Sequence, residues 1–304
     1  MNYHEFFEEF KKFDNKDSKK INDLIETVLT ILKQEPVIIP IKNGINSIFV
    51  GDTHGDFRTA TAIIQLFFEK NYNYLFFLGD YVDRGFGDMQ IKLVNLLLHL
   101  KKAFPQKIYL LRGNHEWNFI NAEYGFKEAI FQNLDSNEFK EIIYHQYNKM
   151  FGELPLAIKI EDPCILAVHG GIPISKDDLP FTLKDIARIP KKDCFTDEIA
   201  QQILWNDPSE KEKDCTDNYR GLGYIFGIKP FREFMRYNKL NYCIRSHELQ
   251  TNGYNQLFEG ELITIFSSKS TEKKVKPNVL VVNRDKKFEF REITNEHPHN
   301  SNFL

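Results

Sequence analysis

Apolar positions recur at helical spacing over the first 35 residues and then give way, from Ser47 onward, to short unbroken apolar runs. Phe6, Phe7, Phe10 and Phe13 form one helical stripe, and Ile21, Leu24, Ile25, Val28, Leu29 and Leu32 a second, so two amphipathic helices are predicted. Glutamate and lysine mix on their polar faces, which favours packing on the protein's own flank over a membrane surface. The linker after Asp14 has the length of a calcium loop, but Lys16 and Ser18 stand where oxygen ligands belong and Lys19 where glycine is needed. Farther on, SIFVG (47–51), YLFFLG (74–79) and KIYLLRG (107–113) read as strands, and FRTATAIIQLFFEK and DMQIKLVNLLLHLKKAF between them as helices. Strand, helix, strand, helix, strand implies βαβ units and a parallel sheet. CILAVHGG (164–171), NYCIRSHE (241–248), LITIFSS (262–268) and the pair NVLVV and KFEFREI around Asn283 to Lys286 add strands, the last two as a hairpin.

Composition narrows the classes without naming one. The 304 residues hold no repeat and no Gly/Ser or Pro-rich linker, so the expected organisation is an N-terminal helical segment (1–35) packed on one domain (36–293), with a flexible tail (294–304). A net charge of −3 gives no basic footprint, so neither nucleic acid nor membrane is an expected partner. Cys164, Cys194, Cys215 and Cys243 are scattered without a CxxC pair, which signals neither a zinc knuckle nor a disulfide framework. With no secretory start and no apolar run near the ~18 residues of a membrane span, the expected location is the cytoplasm, with or without the nucleus.

The chemistry sits where the apolar runs stop. GDTHGD, GDYVDRG and RGNHE close the first three strand-like runs, and HGG and RSHE close two later ones. In open α/β sheets ligands bind beyond the carboxyl ends of strands, so these clusters should converge on one crevice. They supply Asp52, His54, Asp80, Asn114, His169 and His247, a mixed nitrogen and oxygen set that suits manganese, iron or zinc rather than calcium. Six ligands exceed what one catalytic metal with open positions can use. Two metals roughly 3.5 to 4 Å apart, bridged by a carboxylate and a water, would use them all, with Asp80 on the middle strand as the bridge. Singly, a DxH in a glycine turn is more often structural, Asp83 beside Arg84 more often a solvated ion pair, and a lone histidine more often a satisfied core residue. Their joint placement, each closing an apolar run, favours a site.

In that order the five clusters resemble the signature series of the metal-dependent phosphoprotein phosphatase family, the serine/threonine phosphatases of types 1, 2A and 2B. The likeness runs from about Glu35 to about Ser268 and includes EYGF (123–126), LWNDP (204–208) and NYRGLGYIFG (218–227). It implies a central two-sheet β-sandwich flanked by helices, the calcineurin-like metallophosphoesterase architecture. It implies two divalent or trivalent metal ions per chain, manganese first in vitro and iron or zinc as alternatives. Asp52, His54 and Asp80 would hold one, and Asp80, Asn114, His169 and His247 the other. Arg84 and Arg220 match phosphate-binding arginines, His115 the general acid, and Asp83 the carboxylate that orients it. The implied reaction is hydrolysis of phosphoserine and phosphothreonine in proteins by a metal-bridging water, with phosphoprotein substrates and regulatory subunits as partners. A small-molecule phosphoesterase such as a dinucleoside polyphosphate hydrolase, whose signature is similar but looser, is the alternative.

The chain departs from types 1 and 2A in two places. Their SAPNY-like loop is replaced by SSKSTEKKVKPN, without tyrosine, which removes the basis for inferring toxin sensitivity. Asp56 stands where those types have glutamine and is either an extra carboxylate near substrate or a cap for the following helix. Lys191-Lys192 and Lys273-Lys274 read as solvated surface, and no regulatory module is evident, so a catalytic subunit is expected.

Overall fold

Alternation along the central strands sorts the interior into three apolar layers. In strand β2 (Ser47–Val50), Phe49 faces one way and Ile48 and Val50 the other; in β3 (Tyr74–Phe77), Phe76 opposes Leu75 and Phe77. These strands therefore cannot lie at a surface: each buries both faces. The computed structural model describes residues 1–85, 87–135, 137–177, 179–192, 194–269 and 274–294.

Two sheets pack face to face. The first has the order β14 (Phe288–Glu292), β13 (Asn278–Val282), β2, β3, β4 (Ile108–Leu110), in which β2, β3 and β4 run parallel as expected and β13 and β14 form the expected hairpin. The second has the order β1 (Ile38–Asn43), β5 (Ala157–Asp162), β6 (Ile165–Val168), β10 (Tyr242–Arg245), β12 (Leu262–Ile265), β11 (Tyr254–Leu257). Phe49, Phe76, Leu111, Ile165, Ile244 and Leu280 belong to the apolar layer between them. A small third sheet, β7 (Asp207–Pro208), β9 (Tyr224–Phe226) and β8 (Cys215–Asp217), lies beside the second.

Helices cover both outer faces. On the first sheet pack α1 (Tyr3–Lys11), α2 (Ser18–Gln34), α3 (Phe57–Glu69) and α4 (Met89–Ala103). A single turn, α5 (Asn118–Asn121), leads to α6 (Phe126–Asn133) and α7 (Lys140–Phe151), which complete that layer. On the second sheet lie α8 (Leu183–Ala187), α9 (Glu198–Trp205) and α10 (Ile228–Tyr237). Both predicted N-terminal helices form. Asn2 and Glu5 make a reciprocal capping box on α1, and the Asp17 carboxylate accepts from the amides of Lys19 and Lys20 on α2. Phe10 and Phe13 meet the edge of His99 on α4, 5.3 and 4.5 Å between ring centres, which pins α1 to the domain.

One surface expectation is overturned. The Lys191 ammonium donates to the carbonyls of Leu32 and Glu35 at 2.7 and 2.9 Å, at the carboxyl end of α2, and faces Glu153 at 3.5 Å. It satisfies terminal carbonyls and complements the helix dipole rather than standing in solvent; Lys192 beside it is exposed. Lys273 and, past Thr294, the expected tail lie outside the described residues. Among the described residues no helix is long and apolar enough to cross a membrane, and Cys164, Cys215 and Cys243 form no disulfide.

Candidate metal and phosphate site

The loops after β2, β3 and β4 are tied into one floor by backbone hydrogen bonds. The amides of Thr53 and His54 both donate to the Asp80 carbonyl, at 3.0 and 2.9 Å, and the Gly55 amide donates to that of Tyr81. Close approach makes glycine necessary at two points: a Cβ on Gly113 would lie 2.2 Å from the Asp80 carboxylate, and one on Gly79, whose φ is +105°, 2.5 Å from the Gly113 nitrogen. Below them the buried Glu116 accepts from the amides of Asp80, Tyr81 and Gly113, each at 2.8 Å. Burial and Asp80 push its carboxyl up to about 7, against the amides of Tyr81 and Asp80 and the charge of His169, which favour the ionised form.

Five polar residues here, His54, Asp80, Asp83, Arg84 and His247, have φ between 40° and 73°. A left-handed conformation costs a non-glycine residue of order 1 to 3 kcal/mol and persists only where the surroundings enforce it. Such strain accumulates at functional sites, and here it falls on the loops that follow the strands, where the candidate residues sit.

All six candidate ligands meet there. Asp52, His54, Asp80, Asn114, His169 and His247 are buried. His54 Nε2 stands 3.6 Å from Oδ2 of both Asp52 and Asp80; His169 Nε2 stands 3.3 Å from Asp80 Oδ1 and 2.9 Å from Asn114 Oδ1. Asp80, His169 and His247 each offer a ligand atom within 4.8 Å of the others, as do His54, Asp80 and His115. His54 and His169 give their Nδ1 protons to the carbonyls of Val82 and Leu78, at 2.8 and 2.9 Å, which turns both Nε2 lone pairs into the cavity.

The residues fit metal cations. Asp52 Oδ2, His54 Nε2 and both ring nitrogens of His247 are buried without a hydrogen-bond partner, which a folded protein rarely tolerates unless something else binds them. Electrostatics agree. Burial alone would raise the Asp80 carboxyl, but His169, His115 and His54 outweigh it and hold the group well below its ordinary range. Burial holds the His247 imidazole well below its ordinary value and hence neutral, the state in which a histidine ligates. Burial lowers His169 while Asp80 raises it further, to about 8, a charge that a bound cation would displace.

The acid and arginine candidates border this cluster. His115 Nδ1 lies 2.6 Å from Asp83 Oδ2, while Asp83 Oδ1 accepts from the Phe126 amide at 3.0 Å. An Arg84 amino group lies 3.3 Å from the other imidazole nitrogen, Nε2. Arg220 donates from Nε to Asp207 Oδ2 at 2.9 Å, Arg245 donates to Asp207 Oδ1 at 2.9 Å, and that oxygen is 3.9 Å from His247 Nε2. Burial would raise the Asp207 carboxyl, but Arg245, His247 and Arg220 drive it far below the carboxylate range. Asp207, Arg245 and Glu116 were not singled out from the sequence for a role. Asp207 lies within LWNDP and Glu116 closes RGNHE, so the signal was present, but nothing in the residue types told a positioning carboxylate from a capping one. Asp56 resolves as a cap: it accepts from the Thr59 amide and hydroxyl at 3.0 and 2.7 Å, and from the Lys269 amide at 2.8 Å.

Comparison with known proteins agrees with this geometry. The calcineurin-like phosphoesterase family matches over residues 45–250. The catalytic subunit of serine/threonine-protein phosphatase 6 from Drosophila melanogaster is 32% identical over 86% of this chain and 82% of its own length. A protein phosphatase 2A catalytic subunit from Dictyostelium discoideum is 31% identical over 86% and 80%. The PP2A-like phosphatase PPG1 of Candida albicans is 33% identical over 82% of this chain, which spans 57% of that longer relative; for a second curated relative, a probable serine/threonine-protein phosphatase of Encephalitozoon cuniculi, the share is 53%. A serine/threonine phosphatase structure from Saccharomyces cerevisiae, described as similar to human PP5, superposes with a TM-score of 0.78 at 28% identity, covering 92% of this chain and 91% of that one. With its donor-lined cavity, its sandwich and these relatives, the chain belongs to the calcineurin-like phosphoesterase family, among its serine/threonine protein phosphatases.

Proposed function

We propose that the protein hydrolyses phosphoserine and phosphothreonine in protein substrates at this site. The observation that carries the reading is the set of orphaned buried donors, Asp52 Oδ2, His54 Nε2 and the His247 nitrogens, gathered around Asp80 and bordered by Arg84 and Arg220. Asp52, His54 and Asp80 would hold one cation, and Asp80, Asn114, His169 and His247 a second; manganese suits the mixed donors, as do iron and zinc. When bound, such cations lower the pKa of water and neutralise phosphate charge.

The chain's own groups supply the rest. Arg84 and Arg220 present planar forks of donors that match phosphate oxygens. Asp207 holds Arg220 by its Nε, leaving the terminal amino groups for the ligand. Arg84 lies against His115 Nε2; on moving to the phosphate it would free that nitrogen to take up a proton from water and pass it to the departing serine or threonine oxygen, which leaves poorly without one. Asp83 keeps the ring in place through Nδ1. Regulatory subunits, and a cytoplasmic or nuclear setting, belong to the same proposal.

The test is a panel of phosphoserine and phosphothreonine peptides beside a dinucleoside tetraphosphate, assayed with and without manganese. Metal-dependent turnover of the peptides is expected, and strong preference for the nucleotide would overturn the reading.

A further inference from the structure

We infer that Gln90, a buried residue in the first turn of α4, is the positioning residue that holds the backbone turn from which Arg84 reaches phosphate and Asp83 reaches His115; this rests on the function proposed above. Asp83 and Arg84 are consecutive non-glycine residues with φ of +68° and +58°, a geometry a chain does not keep unless braced on both sides. Gln90 is that brace. Its Oε1 accepts from the Asp83 amide at 2.7 Å, and its Nε2 donates to the Gly85 carbonyl at 2.9 Å, so one amide grips the turn before and after Arg84.

The side chain also touches the neighbouring loops. A Cβ on Gly55, next to His54, would stand 2.8 Å from Gln90 Cγ, and one on Gly85 3.0 Å. Gly125, whose added Cβ would lie 3.6 Å from Nε2, follows Tyr124, and the Tyr124 carbonyl accepts from the Arg84 amide at 3.2 Å. Gln90 is thus packed among three glycine turns that carry His54, Arg84 and the approach to Phe126, whose amide holds Asp83. Only a primary amide places an acceptor and a donor on one carbon at this reach; glutamate keeps the acceptor and faces Gly85 with a second one, and methionine keeps the length alone.

The experiment compares Gln90→Met and Gln90→Glu with the unaltered full chain, manganese-loaded. It measures kcat and KM for a phosphothreonine peptide, the dissociation constant of inorganic phosphate by calorimetry, bound manganese, and Tm. Both variants should raise KM and the phosphate dissociation constant at least tenfold and in parallel, with manganese content kept. A merely structural role would lower Tm and leave both constants within twofold in the folded protein, which would overturn the inference. If Gln90→Met fails to fold, the near-isosteric Gln90→Glu decides by the same two constants. An unaltered chain that binds phosphate but leaves the peptide intact defeats the substrate reading alone, and the phosphate constants still decide on Gln90; an unaltered chain that binds no phosphate overturns both.

Discussion

The Nδ1 atom of His115 and the Oδ2 atom of Asp83 lie 2.6 Å apart, both buried, and this contact fixes which imidazole nitrogen is free to act. Because Nδ1 is committed, Nε2 is the one that faces the cavity. His115→Asn should lower kcat by about 10² to 10⁴, the range expected for losing a positioned acid, while KM and bound metal stay near their original values. Steady-state kinetics with elemental analysis checks this, and loss of metal in that variant would show that His115 is a ligand instead.

Asp80→Asn should behave differently. Asp80 lies between His54 and His169 at 3.6 and 3.3 Å, and an amide there offers one neutral oxygen in place of a shared carboxylate. Bound metal should fall below two ions per chain and activity should fall with it; full metal content in an inactive variant would count against the bridging role.

Asp207 is the carboxylate shared by Arg220, Arg245 and His247, and Arg245 pairs with Glu248 as well. Asp207→Asn takes from Arg220 its hydrogen-bonded carboxylate and leaves the fully buried Arg245 with Glu248 alone, and breaking a buried ion pair costs about 3 to 5 kcal/mol. Urea unfolding should register a loss of that order, and KM for phosphopeptide should rise as Arg220 loses its anchor. An unchanged KM would separate Arg220 from phosphate binding.

His99 gives a pH signature of α1 docking. Burial lowers its pKa below the ordinary 6.5, with Lys102 in the same direction and the Asn95 carbonyl and Glu9 opposing. The folded state thus disfavours protonation, so the unfolded chain takes up more protons as pH falls below about 6.5; stability is fully present above that pH and declines beneath it. His99→Gln should flatten the drop in Tm between pH 7.5 and 5.5 relative to the unaltered chain. Equal slopes would mean the imidazole titrates alike in both states.

Much of the candidate site was legible because each cluster of candidate ligands closes an apolar run: Asp52 follows β2, Asp80 β3, Asn114 β4, His169 β6 and His247 β10. A strand buried on both faces announces itself, and polar residues at its end need a reason. Strands β1 and β5 were harder to read. Pro40 interrupts β1, which an edge strand tolerates, and Lys159 and Glu161 break the apolar run of β5. The anchoring of Lys191 could not be read because its partners are the Leu32 and Glu35 carbonyls, about 160 residues earlier in the chain and invisible in any local pattern. Gln90 escaped for a related reason, since a polar residue in the first turn of a helix looks like solvated surface until the loops around it are placed.

The candidate ligands come from both sheets: Asp52, His54, Asp80 and Asn114 hang from the first, and His169 and His247 from the second. The two sets are jaws of one caliper, and the layer of Phe49, Phe76, Ile244 and Leu280 is the stop that fixes their opening. Which ion such jaws would accept is therefore written partly in hydrocarbon, so that trimming a methylene from that stop should alter the measured affinity for manganese, although none of those side chains is a candidate ligand.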